Sequence, residues 1–246
     1  NDMRDHYEGT PLAIDSTDIG GGIWQMPYRP TPLYYKVDGK TYFNERPIST
    51  QQASFVFVSQ MRSWLPREVG GCFWFGNDDG NMVAFVPIYC SMTQRPECFN
   101  APGADAITFS DRSAFWVCNW VSNMVYPRYS TLFPDLKQVR DSLQQSYFDQ
   151  QAEIEAKAQT MEPAQMQKFL NDYSVNKAQQ MLARWKQLAT YLIVRHNDMA
   201  VKPVDAQGRF LRSEYGFGKT VERPGYPQPF ARRLVKEAGD RYSKPE

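Results

Sequence analysis

The chain has only two histidines, His6 and His196, and four cysteines, Cys72, Cys90, Cys98 and Cys118, none in CxxC spacing. A zinc site is therefore not expected. Neither sign of charge is in excess: 28 Lys and Arg against 27 Asp and Glu leave a net charge of +1. That balance argues against a nucleic-acid or anionic-membrane partner, since either needs a concentrated basic surface. No apolar run approaches the ~18 residues of a membrane span, and no signal peptide opens the sequence. A Gly-x-Ser-x-Gly elbow is missing, so Ser49, Thr50 and Ser54 lack the usual setting of a nucleophilic hydroxyl. No Lys-Ser/Thr follows the triple glycine Gly20–Gly22, which reads better as a flexible turn than as a phosphate loop. GFGK (Gly216–Lys219) is too short to signal a phosphate site. The first residue is Asn1 rather than Met, so a processed product or a cloned piece is expected, and the sequence specifies no compartment.

What the chain does have is apolar and aromatic material, at 42% and 14% of its 246 residues, enough for one large domain or two small ones. The stretch Glu45–Cys90 organises it. Three apolar runs, Ala53–Ser59, Gly71–Gly76 and Met82–Cys90, are bounded by Gly, Pro, Asn and Asp and read as strands of an antiparallel meander. They do not alternate, since Phe55–Val58 and Cys72–Phe75 are apolar throughout. A sheet covered on both faces is therefore expected. Ahead of it, Asp38-Gly39 between Leu33–Val37 and Lys40–Phe43 is a type I′ hairpin signal.

After Cys98 the period becomes helical. Ser110 or Asp111 is a plausible N-cap for a helix carrying Ala114, Phe115, Val117, Cys118, Val121 and Val125, with interruptions at Pro127 and Pro134. Leu136, Val139, Leu143, Tyr147 and Ile154 mark a second helix, to about Gln159. Pro163 opens a third, whose apolar positions run from Met166 to Ile193 and which ends near His196. The last two should pack as an antiparallel hairpin. Pro203, Pro224, Pro227 and Pro229 argue for an extended arm, closed by a short helix around Phe230–Ala238.

Candidate chemistry is sparse. Cys72 and Cys118 read as buried thiols. Cys90 and Cys98 flank a loop that an oxidising compartment would allow to be bridged. His6 could act as a base or be a hydrogen-bonded structural group. Asp78 and Asp79 could be an acid–base pair or metal ligands, but as neighbours in the turn NDDGN they read better as solvated carboxylates. Asn119 and Asn123, four apart on a helix, satisfy backbone or line a pocket. The polar cluster Ser49-Thr50-Gln51-Gln52 sits at the mouth of a strand, where side chains can meet a ligand.

The words ERPISTQQ, FVSQMRSWLP, GGCFWFGNDD and VPIYC, followed by SDRSAFWVCNWVSNMVYPRYS, resemble the later half of the cysteine dipeptidases related to dipeptidase A. The resemblance runs from about Met3 to about Asp198. It implies an N-terminal-nucleophile (Ntn) hydrolase: an α+β protein, part of an αββα sandwich, with mostly antiparallel sheet, a long C-terminal helix hairpin and an extended tail. The expected organisation is a sheet-rich part over 1–110, a helical part packed on the sheet over 111–198, and the arm over 199–246. In that family a cysteine exposed by removal of a leader attacks the peptide carbonyl, with its own α-amino group as base. The implied reaction is hydrolysis of dipeptides with broad side-chain tolerance, without metal or organic cofactor.

The sequence departs from the pattern at the decisive place. Asn1 carries an amide that cannot be the nucleophile, and no internal cysteine has a free α-amine. No catalytic residue is therefore expected here, the chain alone should be inactive, and its first partner is the missing N-terminal half of the same protein. From chemistry and position, Thr50, Gln51 and Gln52 are expected on the substrate pocket, with Arg46 as a bidentate anchor for a dipeptide carboxylate. An apolar sheet face left open by truncation should drive homo-oligomers. The competing class is a non-catalytic binding or assembly domain, with the hairpin Asp135–His196 as interface.

Overall fold

The computed structural model of the protein describes residues 2–14 and 19–245. It is α+β, as expected, with small antiparallel sheets, long helices and a C-terminal helix. Backbone packing divides it into two compact units, each assembled from separate stretches of chain. One holds Asn1–His6, Pro47–Met124 and Pro134–Ala189, the other Tyr7–Arg46, Val125–Phe133 and Thr190–Glu246.

In the second unit, β1 (Tyr34–Val37) and β2 (Lys40–Phe43) form the hairpin read from Asp38-Gly39. Both turn residues have positive φ, 50° and 78°, as a type I′ turn demands. Cross-strand rings hold the register, Tyr34 against Phe43 at 4.8 Å and Tyr35 against Tyr42 at 5.7 Å. The triple glycine lies in a 3-10 segment, Ile19–Trp24. The C-terminal arm is irregular apart from isolated bridges such as Val201 with Glu222, until α5 (Gln228–Ala238).

In the first unit, β3 (Phe55–Met61), β4 (Gly71–Asn77) and β5 (Val86–Tyr89) form an antiparallel sheet in that order. The single-turn helix α1 (Arg67–Gly70) connects β3 to β4. The expected double covering fails for β3. Val56, Trp74, Cys72 and Tyr89 turn one face to the helices and are buried. On the opposite face Phe55 and Phe57 are 57% and 44% exposed. They stack into a ladder with Phe73 and Phe75, with Phe57 to Phe73 at 4.5 Å and Phe55 to Phe75 at 6.1 Å. The lack of alternation thus reflects two apolar faces, of which only one is packed.

Helix α2 (Ala114–Val125) starts later than the sequence indicated. Ser113, not Ser110 or Asp111, caps it, its Oγ accepting from the Trp116 N–H at 3.4 Å. Helix α3 (Tyr129–Ala158) runs through Pro134, which the sequence reading took as a break. The only intrahelical bond lost is the one to the Ser130 carbonyl, one turn from the helix start, where the loss is tolerated. Helix α4 (Pro163–His196) begins and ends where expected. It packs antiparallel to α3, with Lys177 stacked 5.7 Å from the Tyr147 ring and Lys157 5.2 Å from the Phe169 ring. Met166, Leu170, Met181, Trp185, Leu188 and Leu192 fill its core face, whereas Ile193 is 55% exposed. Among the described residues, no helix is long and apolar enough to cross a membrane.

The buried stripe of α3 is half polar: Leu136 and Tyr147 alternate with Arg140, Gln144 and Glu155. These side chains clamp the strands and loops of the sheet. Arg140 Nη1 donates to the Asn81 carbonyl at 2.5 Å, and Gln144 bonds both the N–H (2.8 Å) and the carbonyl (3.2 Å) of Phe85. Glu155 receives a bidentate pair from Arg62, both contacts at 2.7 Å. Buried backbone groups need such partners, and the segment between β4 and β5 has few in the sheet itself.

Candidate functional site

The turn Asn77–Asn81 enters the interior because Met82–Val86, which follow it, are all buried. Asp78 and Asp79 are fully buried rather than solvated, which overturns the reading of a surface turn. Two adjacent carboxylates can be buried only if hydrogen bonds replace their water. Asp78 accepts from Asn119 Nδ2 at 2.9 Å and from the Ser122 hydroxyl, both on α2. Asp79 accepts from the Ser49 hydroxyl and from the Asn81 N–H at 3.1 Å. Ser49 in turn accepts from the Asn81 N–H at 2.9 Å. His6 is the hydrogen-bonded structural group: buried, with its Nδ1 accepting from Asn81 Nδ2 at 3.1 Å. Gly80 permits this assembly, since a Cβ there would run into the Met3 carbonyl.

Burial pushes the Asp78 carboxyl up from 3.8 to about 7, against the two hydrogen bonds from α2 and with a smaller contribution from the neighbouring Asp79 charge. Desolvation likewise lifts the thiols of Cys72 and Cys98 to about 12 and that of Cys118 well above its ordinary value. These three cysteines are buried and unreactive, and all four are free thiols, Cys90 and Cys98 included.

From Asp78 a chain of amides leads outward. Asn119 contacts Asn123, whose Nδ2 donates to the Asn119 carbonyl at 2.8 Å, and Gln51 Nε2 donates to Asn123 Oδ1 at 2.8 Å. Asn119 and Asn123 line an open groove of about 520 Å³ with Phe109, Trp116 and Trp120. Phe109 stands edge-on to Trp120 with centroids 6.1 Å apart, and both rings are about half exposed, at 54% and 51%. The result is an aromatic wall beside a row of fixed amides, backed by a buried carboxylate.

The four residues expected on a pocket are not all together. Gln51 joins the groove's amide row. Thr50 donates to Gln52 Oε1 at 3.1 Å beside it. Arg46 is exposed and belongs to the other unit. Its carbonyl accepts from the Tyr7 hydroxyl at 2.9 Å. Asn1, from which the sequence led to the expectation of no nucleophile in this chain, lies outside the described residues. The sequence pointed to Ser49 only as one of a polar cluster and gave no sign of Asn81, Ser122 and Arg140. The one local signal was the apolar run after the turn, which draws the turn inward.

An α+β scaffold that buries carboxylates beneath an open groove of amides and aromatic rings is suited to holding a polar, partly apolar small molecule such as a peptide. The chain belongs to peptidase family C69, whose family model matches residues 1–142. Every residue of the buried network, from His6 to Arg140, falls inside that match. No curated protein sequence gave a significant match. Membership makes the protein one of the peptidases, hydrolases whose substrates are peptides.

Proposed function

We propose that the chain is the substrate-binding part of a cysteine-type dipeptidase of the Ntn-hydrolase class. Its nucleophile is an N-terminal cysteine outside this sequence, in an earlier segment of the same protein. The observation that carries the reading is the groove on α2, with amides fixed by mutual hydrogen bonds and anchored on Asp78. Gln51 Oε1, without a partner among the described residues, suits a substrate peptide N–H. Phe109 and Trp120 supply apolar surface for a side chain without demanding one shape, which fits broad tolerance. Thr50 and Gln52 neighbour Gln51 in the same segment, and Arg46 is proposed, from its chemistry alone, as a carboxylate anchor in the whole enzyme. Three of the four cysteines are buried with raised pKa values, which supports a nucleophile elsewhere. In this reading the Phe55/Phe57/Phe73/Phe75 face packs against the second sheet of an αββα sandwich.

The test has two arms. The purified 246-residue chain should hydrolyse no dipeptide; robust activity abolished by mutating one internal cysteine would overturn the proposed nucleophile. In the enzyme joined to its upstream segment, Trp120→Ala, Asn123→Ala and Arg46→Ala should each raise KM, by about tenfold, with kcat within about twofold. Unchanged kinetics for any of the three removes that residue from the site.

The exposed Phe ladder also favours a second reading, a non-catalytic domain that assembles through this face. Light scattering separates the two: oligomers that persist when the upstream segment is joined support assembly, and a monomer under that condition supports the sandwich.

A further inference from the structure

A second cleft in the same unit shares no residue with the α2 groove. It encloses about 630 Å³ between the first residues of the chain, β3, β4 and α3, within the usual range for small-molecule sites. Trp74, Phe85 and Phe148 wall it, Trp74 and Phe148 meeting edge-on at 4.9 Å. Its polar groups are almost all committed. Gln60 Oε1 accepts from Trp74 Nε1 at 3.1 Å and from Gln151 Nε2 at 2.8 Å, while Gln144 is held by the Phe85 backbone.

Arg4 keeps a donor to spare. Its guanidinium lies 4.9 Å from the Phe85 ring centroid. It donates to the Gly80 carbonyl at 3.1 Å, the Val83 carbonyl at 3.2 Å and Gln144 Oε1 at 3.3 Å, all neutral acceptors. It forms no ion pair among the described residues, and its Nη1 has no partner there. Burial and the nearby Arg140 charge, in that order of importance, lower its pKa to about 10, against a smaller opposing effect of the Asp141 charge. A desolvated guanidinium with no carboxylate hydrogen-bonded to it is an environment in which a bound carboxylate gains much. Asp2, also on the cleft, is exposed at its mouth, where water screens its charge.

We propose that this cleft binds a small amphipathic carboxylate, its anion on Arg4 Nη1 and its flat apolar body between Trp74, Phe85 and Phe148. The site is independent of the α2 groove and of the dipeptidase reading, and it is testable on the 246-residue chain itself. The probes are phenylacetate, its neutral isostere phenylacetamide and the cation phenethylamine, titrated by calorimetry and by ligand-detected NMR. Phenylacetate should bind saturably with Kd of about 1 mM or tighter. The amide should bind at least about tenfold more weakly and the cation not at all, because only the anion forms the charge-assisted pair. Arg4→Gln should bring phenylacetate down to the level of the amide. Phe148→Ala, at a half-exposed side chain that tolerates truncation, should weaken both and serves if Arg4→Gln does not fold. The proposal falls if phenylacetate shows no saturable binding to the unaltered chain at about 10 mM, if the three probes bind alike, or if Phe148→Ala leaves phenylacetate binding unchanged.

Discussion

Raising the pH from 4 to 8 is expected to destabilise the folded chain through Asp78, and Asp78→Asn to abolish that part of the loss. The carboxyl sits at about 7 in the fold against 3.8 for the ordinary group, chiefly because it is buried. The folded state therefore holds this proton more tightly than the unfolded state does. The associated stability is fully present below about pH 4 and is lost as pH rises through about 7. About three pH units at 1.4 kcal/mol each set the scale at about 4 kcal/mol. Asn reproduces the neutral carboxyl in shape. Its Oδ1 can accept from Asn119, and Ser122 can rotate its hydroxyl to accept from the new amide. Asp78→Asn should therefore be nearly neutral at about pH 4 and stabilising at pH 8, read as the difference in urea midpoints between variant and parent. A parent that gains stability relative to the variant on going from pH 4 to 8 would reverse the sign and remove the argument.

That prediction rests on a burial and a pairing of Asp78 that the sequence did not disclose, and the reason is physical. The β1–β2 hairpin was legible because Asp38-Gly39 encodes a backbone conformation locally. The helix hairpin was legible because Leu170, Met181, Trp185 and Leu192 repeat at helical spacing and are buried. Helix α3 was harder. Its apolar period pointed to Val139, Leu143 and Ile154, whereas Arg140, Gln144 and Glu155 are the more buried positions. A polar residue is buried only where a partner awaits it, and these partners (Asn81, Phe85, Arg62) lie about 60 to 90 residues away in sequence. Periodicity carries no information about such distant pairing. The same holds for Asp78 and Asp79, whose donors Asn119, Ser122 and Ser49 come from α2 and from the segment before β3. Composition marked Asn119, Asn123 and Gln51 as candidates for a pocket; only the fold joined them into one row.

Arg62→Ala is expected to have the largest single effect on stability, about 3–5 kcal/mol, because it leaves Glu155 charged and buried without its cation. The two side chains are 12% and 9% exposed and meet in a bidentate pair at 2.7 Å. The hydrogen bond to Glu155 is the first cause of the raised Arg62 pKa, outweighing desolvation. Glu155 Oε1 also accepts from the Tyr89 hydroxyl at 2.8 Å and from Gln151 Nε2 at 2.9 Å. Once Arg62 is gone, these neutral donors are the carboxylate's remaining partners. Arg62 Nη2 further holds the Val69 carbonyl at 3.1 Å, so the substitution also loosens the β3–β4 connection. An exposed ion pair would contribute no more than about 1 kcal/mol, so the magnitude discriminates. The paired replacement Arg62→Met with Glu155→Leu removes both charges and refills the volume. It should recover most of the loss, since replacing a whole buried pair by apolar residues is often neutral. A double-mutant cycle in guanidinium denaturation measures the coupling. A single-variant loss below about 1 kcal/mol, or a double variant no more stable than Arg62→Ala, would show that water already reaches Glu155 and that the pair does not hold the sheet against α3.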